Sequence, residues 1–213
     1  MLTVHHLGVS QSERIVWLCE ELEIAYELKR YARDPVTRLA PPEYKALHPI
    51  GTAPVMTDGD VLLAESGAIV EYLIARYGNG RLALPADHPD YAHYLYWLHF
   101  ANGTLQAQMG RNMLLNRLKL PPDNPVLMFA RSRLDLAFGL VEARTREANY
   151  FAGSEFTAAD IMMGFTLTTM RVFMPYDLTG FPAILAYLKR IGERKAYQRA
   201  MAKGDPGMTL LLT

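Results

Sequence analysis

Every strand-like run in this chain lies before Gly78, and every periodic segment after it reads as helix. That switch constrains the fold more than any other feature. A period-2 run and a period-3.6 run bury their apolar faces against different kinds of neighbour. Residues 2–6 read as a short strand, and 12–23 as a helix with Ile15, Val16, Leu18, Cys19 and Leu22 on one face. Residues 26–31 alternate as a second strand, so the chain opens with a βαβ unit. A polar, proline-bearing stretch over 32–48 holds a short helix at 43–47. Residues 54–57 and 61–64 form a hairpin around Asp58-Gly59. A helix over 66–77 then turns Ile69, Val70, Leu73 and Ile74 inward, with Gly78 as its stop. The order βαβ(α)ββα predicts a thioredoxin-like domain.

Residues 79–89 are rich in Gly, Pro, Asp and Asn and read as a linker. Beyond them lies a long helical stretch over 90–120 carrying Tyr94, Trp97, Leu98 and Phe100. Pro121, Pro122 and Pro125 break it, and helices over 126–149, 157–172 and 182–199 follow. The expected organisation is an α/β thioredoxin-like domain at 1–79, a linker at 80–89 and an all-α domain at 90–213. Within the latter, Thr157 and Asp160 have the spacing of a capping box, with Phe156 and Ile161 as its hydrophobic staple. This is a folding device, and Asp160→Ala is expected to cost roughly 0.5–2 kcal/mol.

The 22 basic and 22 acidic side chains cancel, which argues against a nucleic-acid or membrane-surface role. No signal-like start and no apolar run of bilayer-spanning length is present. Cys19 is alone, so it forms no internal disulfide and suits a reducing compartment. A soluble cytoplasmic protein is expected. His5 and His6 are adjacent on a strand and point to opposite faces, so no shared metal is expected. Cys19, on the inward face of its helix, reads as packing.

The chemistry-bearing residues gather around the hairpin. Pro54 cannot donate to a ladder, so it belongs at an edge, a strand start or a cis turn. Ser66 opens an apolar helix, where a hydroxyl and free backbone N–H groups suit a carboxylate or phosphate. With Glu65, these features can grip the two ends of a small, extended, charged ligand. Ser10 and Ser12 lie ahead of the first helix, and Ser12 is well placed as that helix's cap.

The runs Val9-Ser10-Gln11-Ser12-Glu13-Arg14, His48-Pro49-Ile50-Gly51-Thr52-Ala53-Pro54-Val55 and Leu63-Ala64-Glu65-Ser66-Gly67-Ala68-Ile69 precede the capping box in order. On these carriers the chain resembles the cytosolic glutathione transferases over essentially its whole length. The Ser-Gln-x-x-Arg opening is similar to that of serine-using, theta-like members. The run from Tyr94 to Gly103 is similar to a bacterial and fungal subgroup related to yeast-type transferases.

The resemblance implies an enzyme that binds glutathione as co-substrate, with no metal, and lowers the pKa of its thiol. Ser10 would donate its hydroxyl to the sulfur, with Ser12 as the rival for that contact. Thr52, Ala53, Pro54, Glu65 and Ser66 form the implied glutathione site. Ala53, before the cis proline, would offer backbone groups to the cysteinyl unit. Ser66 would take the γ-glutamyl carboxylate and Glu65 the ammonium group, while Arg14 packs or pairs structurally. Thr52 stands where the family often carries Lys, and His48 where it often carries Asn, so modest glutathione affinity is expected. Lys45 is a candidate substitute.

The implied electrophile site lies between the domains, with Met109, Arg111, Asn112, Met113, Leu115, Phe173, Met174 and Tyr176 as candidates. Met-rich helical stripes are usually core, which is the favoured reading of these residues taken by themselves. The resemblance implies a homodimer acting on small hydrophobic electrophiles, with glutathione-dependent peroxidase activity as a further capability. A non-catalytic glutathione-binding or regulatory protein is the alternative. The opening lacks the Ser-Ser-Cys of the family's isomerases and has no Cys near position 10 for thiol-based dehalogenation or disulfide reduction. The physiological electrophile is not written in these motifs.

Overall fold

The computed structural model describes residues 1–213, which divide into two units: Met1–Ala83 with Ile191–Leu210, and Leu84–Arg190 with Leu211–Thr213. In the first unit, β1 (Leu2–Leu7), α1 (Glu13–Leu22) and β2 (Glu27–Tyr31) form the expected βαβ opening. The short helix α2 (Pro42–Lys45) precedes β3 (Val55–Asp58), β4 (Val61–Ala64) and α3 (Ser66–Arg76). The sheet order is β2-β1-β3-β4. Strand β1 runs parallel to β2, pairing Val4 with Leu28, and antiparallel to β3, pairing Val4 with Met56. The hairpin closes between Asp58 and Val61, so its two loop residues are Gly59 and Asp60, with Gly59 at φ 57°. A positive φ at the first loop position suits a tight hairpin turn and favours glycine there. This is the thioredoxin-like arrangement that the order of elements predicts.

All six residues of β1 are buried, as befits a central strand covered on both faces. On one face Leu7, Tyr31, Tyr44, Ala53 and Val55 cluster with Ala40 and Leu47. The apolar stripes of α1 and α3 pack together, burying Ile15, Val16, Leu18, Cys19 and Leu22 with Ile69, Val70, Leu73 and Ile74. Gly78 closes α3 as expected, its N–H reaching the carbonyls of Leu73 and Ile74.

The second unit is helical. The stretch read as one helix over 90–120 is α4 (Tyr91–Phe100), a π-helical turn at Ala101–Gln106 and α5 (Ala107–Arg117). Helix α6 (Pro125–Glu147) has Asn124 as N-cap, accepting from the N–H groups of Val126 and Leu127. Helix α7 (Ala158–Leu167) is buried along its whole length and starts at the expected capping box. Its last expected turn is a separate 3₁₀ segment, Thr169–Val172. No helix is long and apolar enough to cross a membrane.

The single helix expected over 182–199 is two helices, α8 (Pro182–Gly192) and α9 (Lys195–Gly204). The apolar stripe explains the break. Ile184, Tyr187, Leu188 and Ile191 share one phase, whereas Ala196, Tyr197, Ala200 and Met201 start a new one. One straight helix cannot bury both sets on one side. Gln198 closes the gap by donating to the Gly192 carbonyl at 2.8 Å. Helix α9 packs on α1 within the first unit, although it follows the helical half in sequence. Tyr197 meets Trp17 edge-on at 4.8 Å between centroids. Arg194 holds Glu21 in a bidentate pair at 2.7 Å, and Glu20 takes Arg199 and Lys203.

Candidate active site

The loop between β1 and α1 carries Ser10, and it is held from two sides. Val9 sits at φ 51°, a conformation that costs a β-branched residue strain and persists only where neighbours over-determine it. Arg33 donates through Nε to the Gly8 carbonyl at 2.8 Å and through Nη2 to that of Val9 at 3.1 Å. The Val9 N–H donates to Asp205 Oδ1 at 2.8 Å.

Ser10 and Ser12 are spent differently. Ser12 occupies the N-cap position of α1, but its side chain makes no capping hydrogen bond. Its Oγ turns to β1 instead, lying 2.9 Å from His6 Nδ1 and accepting from the Leu7 N–H at 3.1 Å. The expected side-chain cap is thus absent because β1 claims the hydroxyl. Ser10 Oγ lies 2.7 Å from Ser12 Oγ and accepts from the Ser12 N–H at 3.2 Å. Ser12 is fully buried, while Ser10 keeps 4% of its surface exposed.

The start of α1 also ties the hairpin to α3. The Ala53–Pro54 peptide bond is cis. Gln11 donates through Nε2 to the Ala53 carbonyl at 2.7 Å. Arg14 Nη1 donates to Gln11 Oε1 at 3.1 Å and to Ser66 Oγ at 3.3 Å. Arg14 is wholly buried, and burial pulls its guanidinium down to about 9, with Glu13 working against that. It therefore remains a cation at neutral pH, set behind the amino terminus of α3. Both the helix dipole and this cation favour an anion there.

Ser66 is the first residue of α3, as expected of the residue that opens it, and the N-cap position falls on Glu65. Glu65 is exposed, with its backbone at φ 71° and ψ 117°. That region is sparsely populated for a residue with a side chain, and such outliers gather at ligand clamps. Thr52 is exposed beside Gly51, and the Lys45 stem runs past the same glycine. Five of the expected residues, Ser10, Ala53, Pro54, Glu65 and Ser66, thus belong to one network or border it.

The expected electrophile residues divide. Met109 is fully buried and belongs to the core of the second unit. Asn112 is buried too and ties α5 to α6, donating to the carbonyls of Gln108 and Ala130 at 2.9 Å. Arg111 is exposed, with Nη1 donating to Gln108 Oε1, and Met113 is half-buried. Tyr176 stacks on Phe138 at 3.8 Å and donates to Asp135 Oδ1 at 2.8 Å. Burial, with that bond to Asp135, pushes its phenol above the ordinary range.

His5 and His6 do face opposite sides of β1. His5 lies between Tyr31 OH and Thr57 Oγ1, whereas His6 lies between Ser12 and Asp205. Cys19 is fully buried, and burial pushes its thiol well up, as expected of a packing residue. The sequence reading missed Gln11, Arg33, His6 and Asp205 as parts of the site. Gln11 had a signal, a polar side chain in the first-helix motif. Asp205 had none, being far along the chain from every residue it holds.

Comparisons with known proteins agree with this geometry. Residues 2–75 match the family model for the glutathione S-transferase N-terminal domain, and residues 114–190 match that for the C-terminal domain. Glutathione S-transferase 3 of Schizosaccharomyces pombe is 32% identical over 179 residues, covering 78% of this chain and 73% of the relative. Glutathione S-transferase 1 of Saccharomyces cerevisiae is 28% identical, covering 95% of each chain. A glutathione S-transferase structure from Actinobacillus pleuropneumoniae superposes with a TM-score of 0.85 at 35% identity, covering 96% of this chain and 93% of that one. A theta class enzyme from Xanthomonas axonopodis, solved with glutathione bound, gives 0.71 at 26% identity, covering 93% and 96%. With matching halves, a relative above 30% identity and a shared fold, this chain belongs to the glutathione S-transferase family.

Proposed function

We propose that the chain is a glutathione transferase that holds glutathione along Ser10, Ala53-Pro54 and Glu65-Ser66 and presents its thiolate to small hydrophobic electrophiles. The observation that carries this reading is the Gln11–Arg14 link. It joins the Ala53 carbonyl to the Ser66 hydroxyl through the residues that follow Ser10 in the chain. The γ-glutamyl carboxylate meets the α3 amino terminus and the Arg14 charge, and the exposed Glu65 faces the ammonium group. The cysteinyl unit lies along the Ala53 backbone in the manner of an added strand. A relative solved with glutathione bound supports the choice of ligand.

The thiol of glutathione is mostly protonated at neutral pH, and the thiolate is the nucleophile. Ser10, less buried than Ser12, is the hydroxyl that meets the sulfur, and the amino terminus of α1 favours its negative charge. On this reading Lys45, whose stem runs beside Gly51, supplies the charge that Thr52 lacks. Arg111, Met113 and Tyr176 are the side chains assigned to the electrophile. Organic peroxides are a second substrate class, two glutathiones reducing one hydroperoxide to an alcohol and water and being oxidised to one glutathione disulfide.

The active species is a homodimer on this reading. Phe129, Leu136 and Leu140 on α6 are more than half or half exposed, at 63, 59 and 50%, and a second copy would cover them. Sedimentation at micromolar concentration tests this, and a monomer refutes it.

The decisive assay pairs glutathione binding by calorimetry with conjugation of 1-chloro-2,4-dinitrobenzene. Ser10→Ala should lower turnover by about tenfold or more while binding holds within about twofold. Unchanged turnover and unchanged thiol titration refute the role of Ser10. Binding without turnover in the wild type would favour the regulatory alternative.

A further inference from the structure

Behind Ser10 runs a line of three polar side chains, Ser12, His6 and Asp205, that the transferase reading does not use. Asp205 Oδ2 lies 3.1 Å from His6 Nε2. His6 Nδ1 lies 2.9 Å from Ser12 Oγ, and Ser12 Oγ lies 2.7 Å from Ser10 Oγ. His6 and Ser12 are fully buried, the Asp205 side chain is 7% exposed, and only Ser10 borders the site. All four residues belong to the first unit. The imidazole lies flat enough against α9 that a methyl group added at Gly204 would come within 3.2 Å of Nε2.

We propose that His6, oriented by Asp205, is a positioning residue that receives the glutathione proton through Ser12 and Ser10. This rests on the reading of Ser10 as the contact to the thiol. Counting protons along the line gives the mechanism. An ionised Asp205 only accepts, so Nε2 carries the hydrogen and Nδ1 of the neutral ring is an acceptor. Ser12 then donates its single proton to Nδ1. Its lone pairs are filled by the Leu7 N–H and by the Ser10 hydroxyl. A contact from Ser12 Oγ to the Leu7 carbonyl is longer, at 3.4 Å. In this state Ser10 points its proton inward and offers the thiol only an oxygen lone pair.

Ionisation of the thiol reverses the line. The S–H proton passes to Ser10 Oγ, the Ser10 proton to Ser12 Oγ, and the Ser12 proton to His6 Nδ1. No covalent bond to carbon or sulfur other than S–H breaks, and no electron changes hands. The imidazolium now donates at both nitrogens, to Asp205 and to Ser12. Ser12 keeps three partners, and the Ser10 O–H is left pointing at the new thiolate. Both end states leave every member of the line hydrogen-bonded, which a buried polar network requires. When the thiolate has been consumed, the proton returns along the same path to solvent. The charged groups around the ring are Asp205, which faces it after α9, and Arg33 after β2, which faces Asp205.

A purely structural role for the line would tie β1, α1 and α9 together and leave thiol chemistry unchanged. The test therefore reads the thiol directly. The thiolate absorbance of bound glutathione is titrated in the wild type, His6→Gln, Asp205→Asn and Ser10→Ala, with circular dichroism as the folding check. The expected result is about a tenfold fall or more in the thiolate fraction of His6→Gln at neutral pH, with glutathione affinity within about twofold. Movement in Ser10→Ala but not in the His6 and Asp205 variants overturns the relay and leaves Ser10 standing. Movement in none of them overturns the Ser10 reading itself. Should the variants fail to fold, ¹⁵N NMR of the wild-type imidazole decides. His6 should become doubly protonated on adding glutathione but not on adding S-hexylglutathione, which has no thiol proton. An identical response to both refutes the proposal.

Discussion

Replacing Asp160 with alanine should destabilise the protein well beyond the loss of a helix cap. The carboxylate is fully buried. One oxygen accepts from the Phe151 N–H at 3.0 Å and the Tyr187 hydroxyl at 3.2 Å. The other accepts from the Thr157 N–H at 2.9 Å and the Thr157 hydroxyl at 3.4 Å. A cap alone is worth about 0.5–2 kcal/mol. Alanine also strands the donors of Phe151 and Tyr187, both residues fully buried, at about 1–3 kcal/mol each. Because these losses share one network and do not simply add, about 3–5 kcal/mol is expected at about pH 4, where the carboxyl keeps its proton. For a chain of this size that is a fall in Tm of about 6–20 °C. Asp160→Asn keeps one acceptor oxygen and the volume, so it should cost about half as much.

The same site carries a pH signature. Burial pushes the Asp160 carboxyl up to about 6, against the pull of its four donors. A folded value above the ordinary one means the folded chain holds the extra proton between pH 4 and 6. The stability from that proton is present in full below about pH 4 and is lost as the pH rises to about 6. Across that window the wild type should lose stability relative to Asp160→Asn, by up to about 3 kcal/mol. Thermal melts of the three proteins from pH 4 to 7 provide the measurement. A cost for alanine below about 1 kcal/mol at about pH 4, where the carboxyl holds its proton, or a difference from asparagine that rises with pH, would refute the reasoning.

Two further outcomes follow from the packing of α9 on α1. Burial works to raise Glu20, but hydrogen bonds from Lys203, Tyr26 and Arg199 outweigh it, and the carboxyl titrates below its ordinary value. A lowered folded value gives stability that is present above the ordinary carboxylate range and lost as the pH falls through the folded value. Glu20→Gln should therefore cost about 1–2 kcal/mol at pH 7 and progressively less in acid, as read by urea unfolding. Cys19, buried under the same helix with its thiol pushed up, should resist a disulfide reagent in the native state and react only at the rate of unfolding. Fast labelling in native buffer would show that α9 lifts from α1.

Local signals were legible and remote ones were not. The hairpin, the capping box and the inward faces of α1 and α3 depend on neighbours within a few positions, so spacing alone reveals them. Ser12 illustrates the first limit. Its position before a helix suggests a cap, but a strand five residues earlier competes for the same hydroxyl. Glu65 illustrates the second, because nothing in a glutamate announces a positive φ. The split between α8 and α9 was written in the sequence as a phase change of the apolar stripe, yet recognising it requires knowing that α9 packs on α1. The bond from Asp205 to His6 has no local trace at all.

That remote bond changes what counts as the catalytic half of the molecule. Residues 1–83 contain every side chain proposed to hold glutathione, yet they do not by themselves fix Ser10. Val9 is held in its unfavourable conformation by Arg33 from one side and Asp205 from the other. Asp205 is carried by α9, which α1 grips through Glu20 and Glu21. Cutting the chain after Ala83 would remove one of the two anchors of the Ser10 loop and the partner of His6 together. Strain in a loop survives only while its anchors outnumber its freedoms. The geometry at Ser10 is therefore a property of the βαβ opening and the last helix jointly, in keeping with the packing of α9 on α1 that groups residues 191–210 with the first unit.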